Sequence, residues 1–156
     1  MNYKIMVTGH RQHIFKDNIS ISNVKILIEN ILLQYKTKYS NLCILTGMAL
    51  GTDQWIAEIC IKNNIKFKAY LAFNGQDGMW KYNQVKHYKY LLSHATEIKY
   101  ACDNINIFAY YKRNKMLVND CNECISVFNG NYNTGTGQTI KELKKSNKKL
   151  IIIKIR

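Results

Sequence analysis

Apolar residues fall along this chain in two alternating rhythms. Short runs of four to six apolar or β-branched residues are separated by longer stretches in which apolar side chains return every three or four positions. The first rhythm is that of buried strands and the second that of helices with one face inward. Tyr3–Thr8 reads as the opening strand, and Val24, Leu27, Ile28, Ile31, Leu32 and Tyr35 then recur at helical spacing. Leu42–Thr46 is a second strand, the glycine-bounded turn Gly47–Thr52 leads into a helix over Asp53–Asn63, and Lys66–Leu71 is a third strand. A loop over Ala72–Lys81, rich in glycine and aromatic residues, precedes a helix over Tyr82–Ala95 and a short strand at Glu97–Tyr100. A helix over Ile107–Asp120, a strand at Glu123–Phe128, a loop at Asn129–Gly137, a helix opening near Gln138 and a last strand at Leu150–Lys154 complete the chain. Strands that alternate with helices in this way predict an α/β fold, a Rossmann-like three-layer sandwich with a mainly parallel central sheet. The 156 residues contain no linker, repeat or low-complexity segment and are expected to form one domain over 1–156.

Where a parallel sheet binds anything, it does so beyond the carboxyl ends of its strands. The polar and glycine residues gather at those ends. Gly9, His10 and Arg11 follow the first strand, and Gly47, Met48, Ala49, Gly51, Thr52 and Asp53 follow the second. Phe73 and Gln76 follow the third, and Gly130, Thr134, Gly135, Thr136 and Gly137 follow the fifth. Glycine lets backbone approach a ligand closely. A loop that opens a helix offers free N–H groups at the positive end of the helix dipole, where an anion is favoured. Two such loops plus Arg11 point to phosphate. Asp53 stands at a helix start, where it either caps the helix or accepts hydrogen bonds from ribose hydroxyls.

Composition narrows this further. With 23 Lys and Arg against 10 Asp and Glu, the net charge is +13, which attracts phosphate, whether of a nucleotide, a nucleic acid or an anionic surface. The run from Lys141 to Lys149 reads as the solvated face of a terminal helix. No stretch is apolar enough to span a bilayer, the amino terminus reads as a strand rather than a signal peptide, and the five cysteines are an odd number. A cytoplasmic protein with reduced thiols is expected, in the host cytoplasm if the source is a phage, with no membrane partner. Cys121 and Cys124 have two-residue spacing but no second ligand pair, so no metal is expected and no cofactor is implied.

The same residues, in order, resemble the SLOG superfamily of Rossmann-like proteins, which includes DNA-processing protein A, the Lonely Guy phosphoribohydrolases and small single-domain members. The opening strand ends in Thr8-Gly9-His10-Arg11. The string from Thr46 to Glu58, with Gly47-Met48-Ala49-Leu50-Gly51, Asp53, Trp55 and Ala57-Glu58, is the most specific match, and Phe73, Gly75-Gln76 and Trp80 follow. Arg113-Asn114 with Met116 and Val118, and the loop from Phe128 to Thr139, complete it. The pattern's proline before Phe73 is Ala72 here, and one glycine of its GGT loop is replaced, the loop reading Thr134-Gly135-Thr136. The resemblance implies a nucleotide or nucleotide-derived ligand and places Arg113 and Asn114 among its contacts. Lonely Guy enzymes also carry a glutamate just after the glycine loop, where this chain has Gly137-Gln138-Thr139. A glycosidase needs a carboxylate to stabilise the oxocarbenium-like centre or activate water. Asp53 or Glu58 would have to supply it, with Arg113 orienting the phosphate.

Three functions follow as expectations. The first is binding of an ADP-ribose-like or cyclic nucleotide signal as a sensor or sequestering protein. The second is an N-glycosidase acting on nucleoside monophosphates or related nucleotides through Asp53, Glu58 and Arg113. The third is binding of single-stranded nucleic acid, with Trp80, Tyr110, Tyr111 and Tyr132 as stacking surfaces. Homo-oligomers are common in the superfamily, and Trp80 with the Tyr82–Tyr90 stretch would lie at an interface or pack on the sheet.

Overall fold

The computed structural model describes residues 2–156. Six parallel strands form one sheet in the order β4-β3-β2-β1-β5-β6, built from β1 (Tyr3–Gly9), β2 (Leu42–Thr46), β3 (Lys66–Leu71), β4 (Glu97–Tyr100), β5 (Glu123–Phe128) and β6 (Lys149–Lys154). The crossovers run through α1 (Asn18–Lys38), α2 (Thr52–Lys62), α3 (Tyr82–Ser93), α4 (Ala109–Asp120) and α5 (Gly135–Lys145). This is the Rossmann-like α/β sandwich expected from the alternation of apolar runs. One expected boundary moves by a turn: α5 opens at Gly135 rather than near Gln138, because Thr134 caps it by accepting the Gly137 N–H.

The pleat sends alternate side chains to opposite faces. Ile5, Val7, Ile44, Ile125 and Val127 join Ile28 and Leu32 of α1, Ile56 of α2 and Leu91 of α3 in one core layer. Met6, Cys43, Leu45, Tyr70 and Cys124 form the other layer with Leu117 and Val118 of α4 and Leu143 of α5. The central strands β2 and β5 are buried along their whole length, as strands covered on both faces must be. Cys121 and Cys124 belong to the second layer, and burial pushes both thiols up, so neither is a poised nucleophile. Trp80 is partly buried at the margin of the first layer and packs edge-on against Tyr88 of α3 at 5.0 Å between ring centres.

From β1 the chain builds outward through β2, β3 and β4, then returns to the other side of β1 with β5 and β6. The reversal lies between β1 and β2 on one hand and β5 on the other. The loops after these strands therefore diverge there and leave a crevice.

Candidate functional site

The crevice is a cleft of about 340 Å³. The loop after β1 supplies Thr8, Gly9, His10 and Arg11 and then turns through a short 3₁₀ segment, Gln12–Ile14, that brings His13 and Ile14 to the rim. Ala49 and Asp53 come from the loop after β2 and the first turn of α2. Tyr110, Arg113 and Asn114 come from α4, and Thr134, Gly135 and Thr136 from the start of α5. Four separate segments thus meet in one cavity.

The floor holds two buried charged side chains, each bonded to other groups rather than directly to the other. Arg113 is 6% exposed; its Nη1 donates to the Gly47 carbonyl at 2.6 Å and its Nε to Asn114 Oδ1 at 2.8 Å. Tyr110 lies against the guanidinium, 5.5 Å from its ring centre, and Phe73 meets Tyr110 edge-on. Asp53, also 6% exposed, accepts the Ala49 N–H on Oδ2 at 3.2 Å, while Oδ1 is buried without a hydrogen-bond partner among the described residues. Burial pushes the Asp53 carboxyl up to about 6; Arg113, the Ala49 N–H and Arg11 oppose the rise. Burial lowers the Arg113 pKa, and Asp53 works against that. Asp53 does not cap α2: Gly51 occupies the cap position at φ +94°, and the carboxylate turns back onto its own loop.

The two glycine loops have different fates. In the loop after β2 the N–H groups of Met48, Ala49 and Thr52 are spent internally, on Thr46 Oγ1, Asp53 Oδ2 and the His10 carbonyl. Thr52 Oγ1 also donates to His10 O at 2.7 Å, so it braces the first loop and does not reach the cleft. At α5 the Gly137 and Gln138 N–H groups return to Thr134. Those of Gly135 and Thr136 and the Thr136 hydroxyl have no partner among the described residues. They stand at a helix N-terminus on the cleft wall.

Of the residues singled out in the sequence, the cleft gathers Gly9, His10, Arg11, Ala49, Asp53, Arg113, Asn114, Thr134, Gly135 and Thr136. Gly47, Met48, Phe73 and Gln76 lie beneath it. Met48 is fully buried at φ +60°, Phe73 supports Tyr110, and Gln76 ties the Ala72 N–H to the Gly47 carbonyl. Gly51 and Gly137 serve close packing: a side chain there would strike the His10–Gln12 backbone in one case and Tyr132 in the other. Gly130, at φ +93°, shapes the turn after β5 away from the lining. Glu58 is corrected most. It points into a neighbouring groove and pairs with His87 Nε2 at 2.8 Å, so Asp53 is the carboxylate of the cleft. Sequence reasoning missed His13 and Ile14, and it had Thr8 only as part of the opening motif and Tyr110 only as a stacking surface for nucleic acid; burial lowers the His10 pKa, and its Nε2 sits against Asn129.

An all-parallel sheet with a polar cleft at its switch point defines a Rossmann-like α/β protein. The chain belongs to the YspA SLOG family, whose model matches residues 5–155. Its structure is similar to that of DNA processing protein A from Streptococcus pneumoniae, with a TM-score of 0.69, 16% identity, and coverage of 97% of this chain and 50% of that one. It is likewise similar to DNA processing protein A from Helicobacter pylori, solved for its single-stranded DNA binding mode, with a TM-score of 0.71, 17% identity, and coverage of 99% and 66%. A third similar structure is that of TM1055, with a TM-score of 0.64, 11% identity, and coverage of 95% and 72%. At these identities the likeness is one of fold, and the chain spans half the length of the S. pneumoniae protein. No curated protein matches the sequence. No helix among the described residues is long and apolar enough to cross a membrane.

Proposed function

We propose that this chain binds a phosphate-bearing nucleotide derivative in the switch-point cleft, as a sensor or sequestering protein for a signal of the ADP-ribose or cyclic nucleotide kind. The observation that carries this reading is the open N-terminus of α5, with its unpartnered Gly135 and Thr136 N–H groups, sharing one cavity with Arg11. Backbone donors, helix dipole and guanidinium all favour an anion of phosphate size. Asp53 Oδ1, buried and unpaired, is the acceptor that a ribose hydroxyl would satisfy. The glutamate that follows the glycine loop in Lonely Guy enzymes is absent, which favours retention of the ligand over cleavage.

Asp53 also supports a second reading, hydrolysis of the bond between base and ribose. Its carboxyl is pushed up to about 6, within reach of the working range of a general acid or base. Single-stranded nucleic acid is the third: the H. pylori protein was solved for that binding mode, and Tyr110 and Tyr111 are exposed beside the cleft.

One experiment separates these readings. The protein is incubated with ribose 5-phosphate, AMP, ADP-ribose, cyclic nucleotides and a short DNA strand, while melting and product release are followed together. A ligand at about a hundred times its Kd adds roughly 2.7 kcal/mol to the folded state. Stabilisation with the ligand recovered intact, lost in Arg11→Ala, is the expected result. Release of free base, abolished in Asp53→Asn, would replace binding by hydrolysis. Stabilisation by DNA alone would replace both.

A further inference from the structure

Beside the cleft, and sharing Arg11 and His13 with it, lies a second cavity of about 620 Å³ between α2 and α3. We propose that this groove is a nucleobase subsite, which reads the edge of the base while the cleft holds the phosphate; the proposal rests on the phosphate reading above. Arg11 and His13 line both cavities, so the two lie side by side and a ligand that reaches past these side chains would touch both.

The chemistry of the groove is unlike that of the cleft. Four carboxamides line it, Gln12, Gln54, Asn83 and Gln84, and two of them have one end fixed. Gln54, 5% exposed, donates through Nε2 to the Met48 carbonyl at 3.2 Å, which leaves Oε1 as an acceptor. Gln84 accepts the Lys81 N–H on Oε1 at 3.0 Å, which leaves Nε2 as a donor. The roles are set by the backbone partner in each case, since a carboxamide turned over would lose its bond. Glu58 and His87 satisfy one another at 2.8 Å, so the carboxylate is held and the imidazole ring is fixed at the groove wall, about two-fifths exposed.

One fixed acceptor, one fixed donor and a planar ring suit a molecule that is itself planar and carries a donor beside an acceptor. Nucleobases have that edge, and carboxamide side chains read it in pairs. An apolar ligand would leave Gln54 Oε1 buried without a partner. The ligand class is therefore a nucleotide whose base extends beyond Arg11, rather than a sugar phosphate alone.

The test compares AMP with ribose 5-phosphate by calorimetry on the full chain. The wild type is expected to hold AMP about tenfold or more tightly, the discrimination of one good paired contact to a base. Gln84→Glu keeps the capping acceptor and removes the donor; Gln84→Met removes both and adds no charge. In both variants the preference for AMP should collapse toward one while ribose 5-phosphate binds as before. A preference that survives in both variants overturns the proposal, as does equal binding of the two ligands by the wild type. Loss of both ligands together in a folded variant also overturns it, because Gln84 would then act on the cleft and not on the base. Binding of neither ligand by the wild type sinks the phosphate reading itself, and the subsite with it.

Discussion

A methyl group on Gly47 would lie 2.5 Å from Arg113 Nη1 and 3.0 Å from Asp53 Oδ2, so both buried side chains crowd the space that this glycine leaves open. Gly47→Ala is expected to displace the guanidinium, lower stability by about 1–3 kcal/mol and weaken ribose 5-phosphate binding. Urea denaturation and calorimetry on the same sample check both. Asp53 makes a separate prediction with a definite sign. Its carboxyl is pushed up to about 6 from the ordinary 3.8, so between those values the folded state holds the extra proton. Stability from this group is greatest below pH about 4 and falls as the pH rises through 6, by roughly 3 kcal/mol across the window. Asp53→Asn does not titrate. Its stability relative to the wild type should rise by that amount between pH 4 and 7.5 in urea denaturation at each pH. At this scale the sequence was informative where a residue's place follows from the strand it leaves, as for Arg11, Asp53 and Thr136. It misled for Glu58, which lies five residues beyond Asp53 on α2 and so leaves that helix in a different direction.

Two helix ends carry most of what the elements contribute to the site. Thr134 caps α5 and holds the turn that presents the open N–H groups. Thr134→Ala should cost about 1 kcal/mol and weaken phosphate binding, while Thr134→Ser retains both, as thermal melts with and without inorganic phosphate will show. At the far end of α4, Lys148 Nζ donates to the carbonyls of Val118, Asn119 and Cys121 at 2.5, 2.9 and 2.7 Å. One cation thus closes the carboxyl end of the helix that carries Arg113, where the dipole also favours it. Lys148→Met is expected to lower stability by about 1–3 kcal/mol without changing affinity. The six strands and five α-helices were legible in the apolar rhythm, most plainly β2 and β5, which are buried on both faces and read as apolar runs. The start of α5 was not, since Gly135 and Gly137 are poor helix formers and the cap alone places the turn. The groove carried no signal either: Gln54 and Gln84 look like ordinary polar helix positions until α2 and α3 are set side by side.

Strand order belongs to the whole molecule and no local pattern reveals it; only the rule that ligands gather at the carboxyl ends of parallel strands let the loops be grouped in advance. Charge also acts at this scale. A net +13 draws any phosphate toward the surface, but a single phosphate in the cleft makes few contacts. Between 50 and 200 mM salt the AMP affinity should fall less than about tenfold, whereas a strand touching six to ten phosphates loses about 10³–10⁵. A titration at four salt concentrations tells the two apart.

The switch in strand order has a consequence for synthesis. On one side β1 pairs with β2, beginning at Tyr3 and Leu42, but on its other side Ile5 waits for Glu123. At about 5–20 residues per second, the central strand of the finished sheet spends several seconds or more as an open edge while the intervening chain emerges. The wall of the cleft that carries Gly135 and Thr136 arrives later still. Any pairing of β1 to β4 in that interval would form the Arg11 and Asp53 side of the cleft beside a row of backbone groups that nothing yet covers.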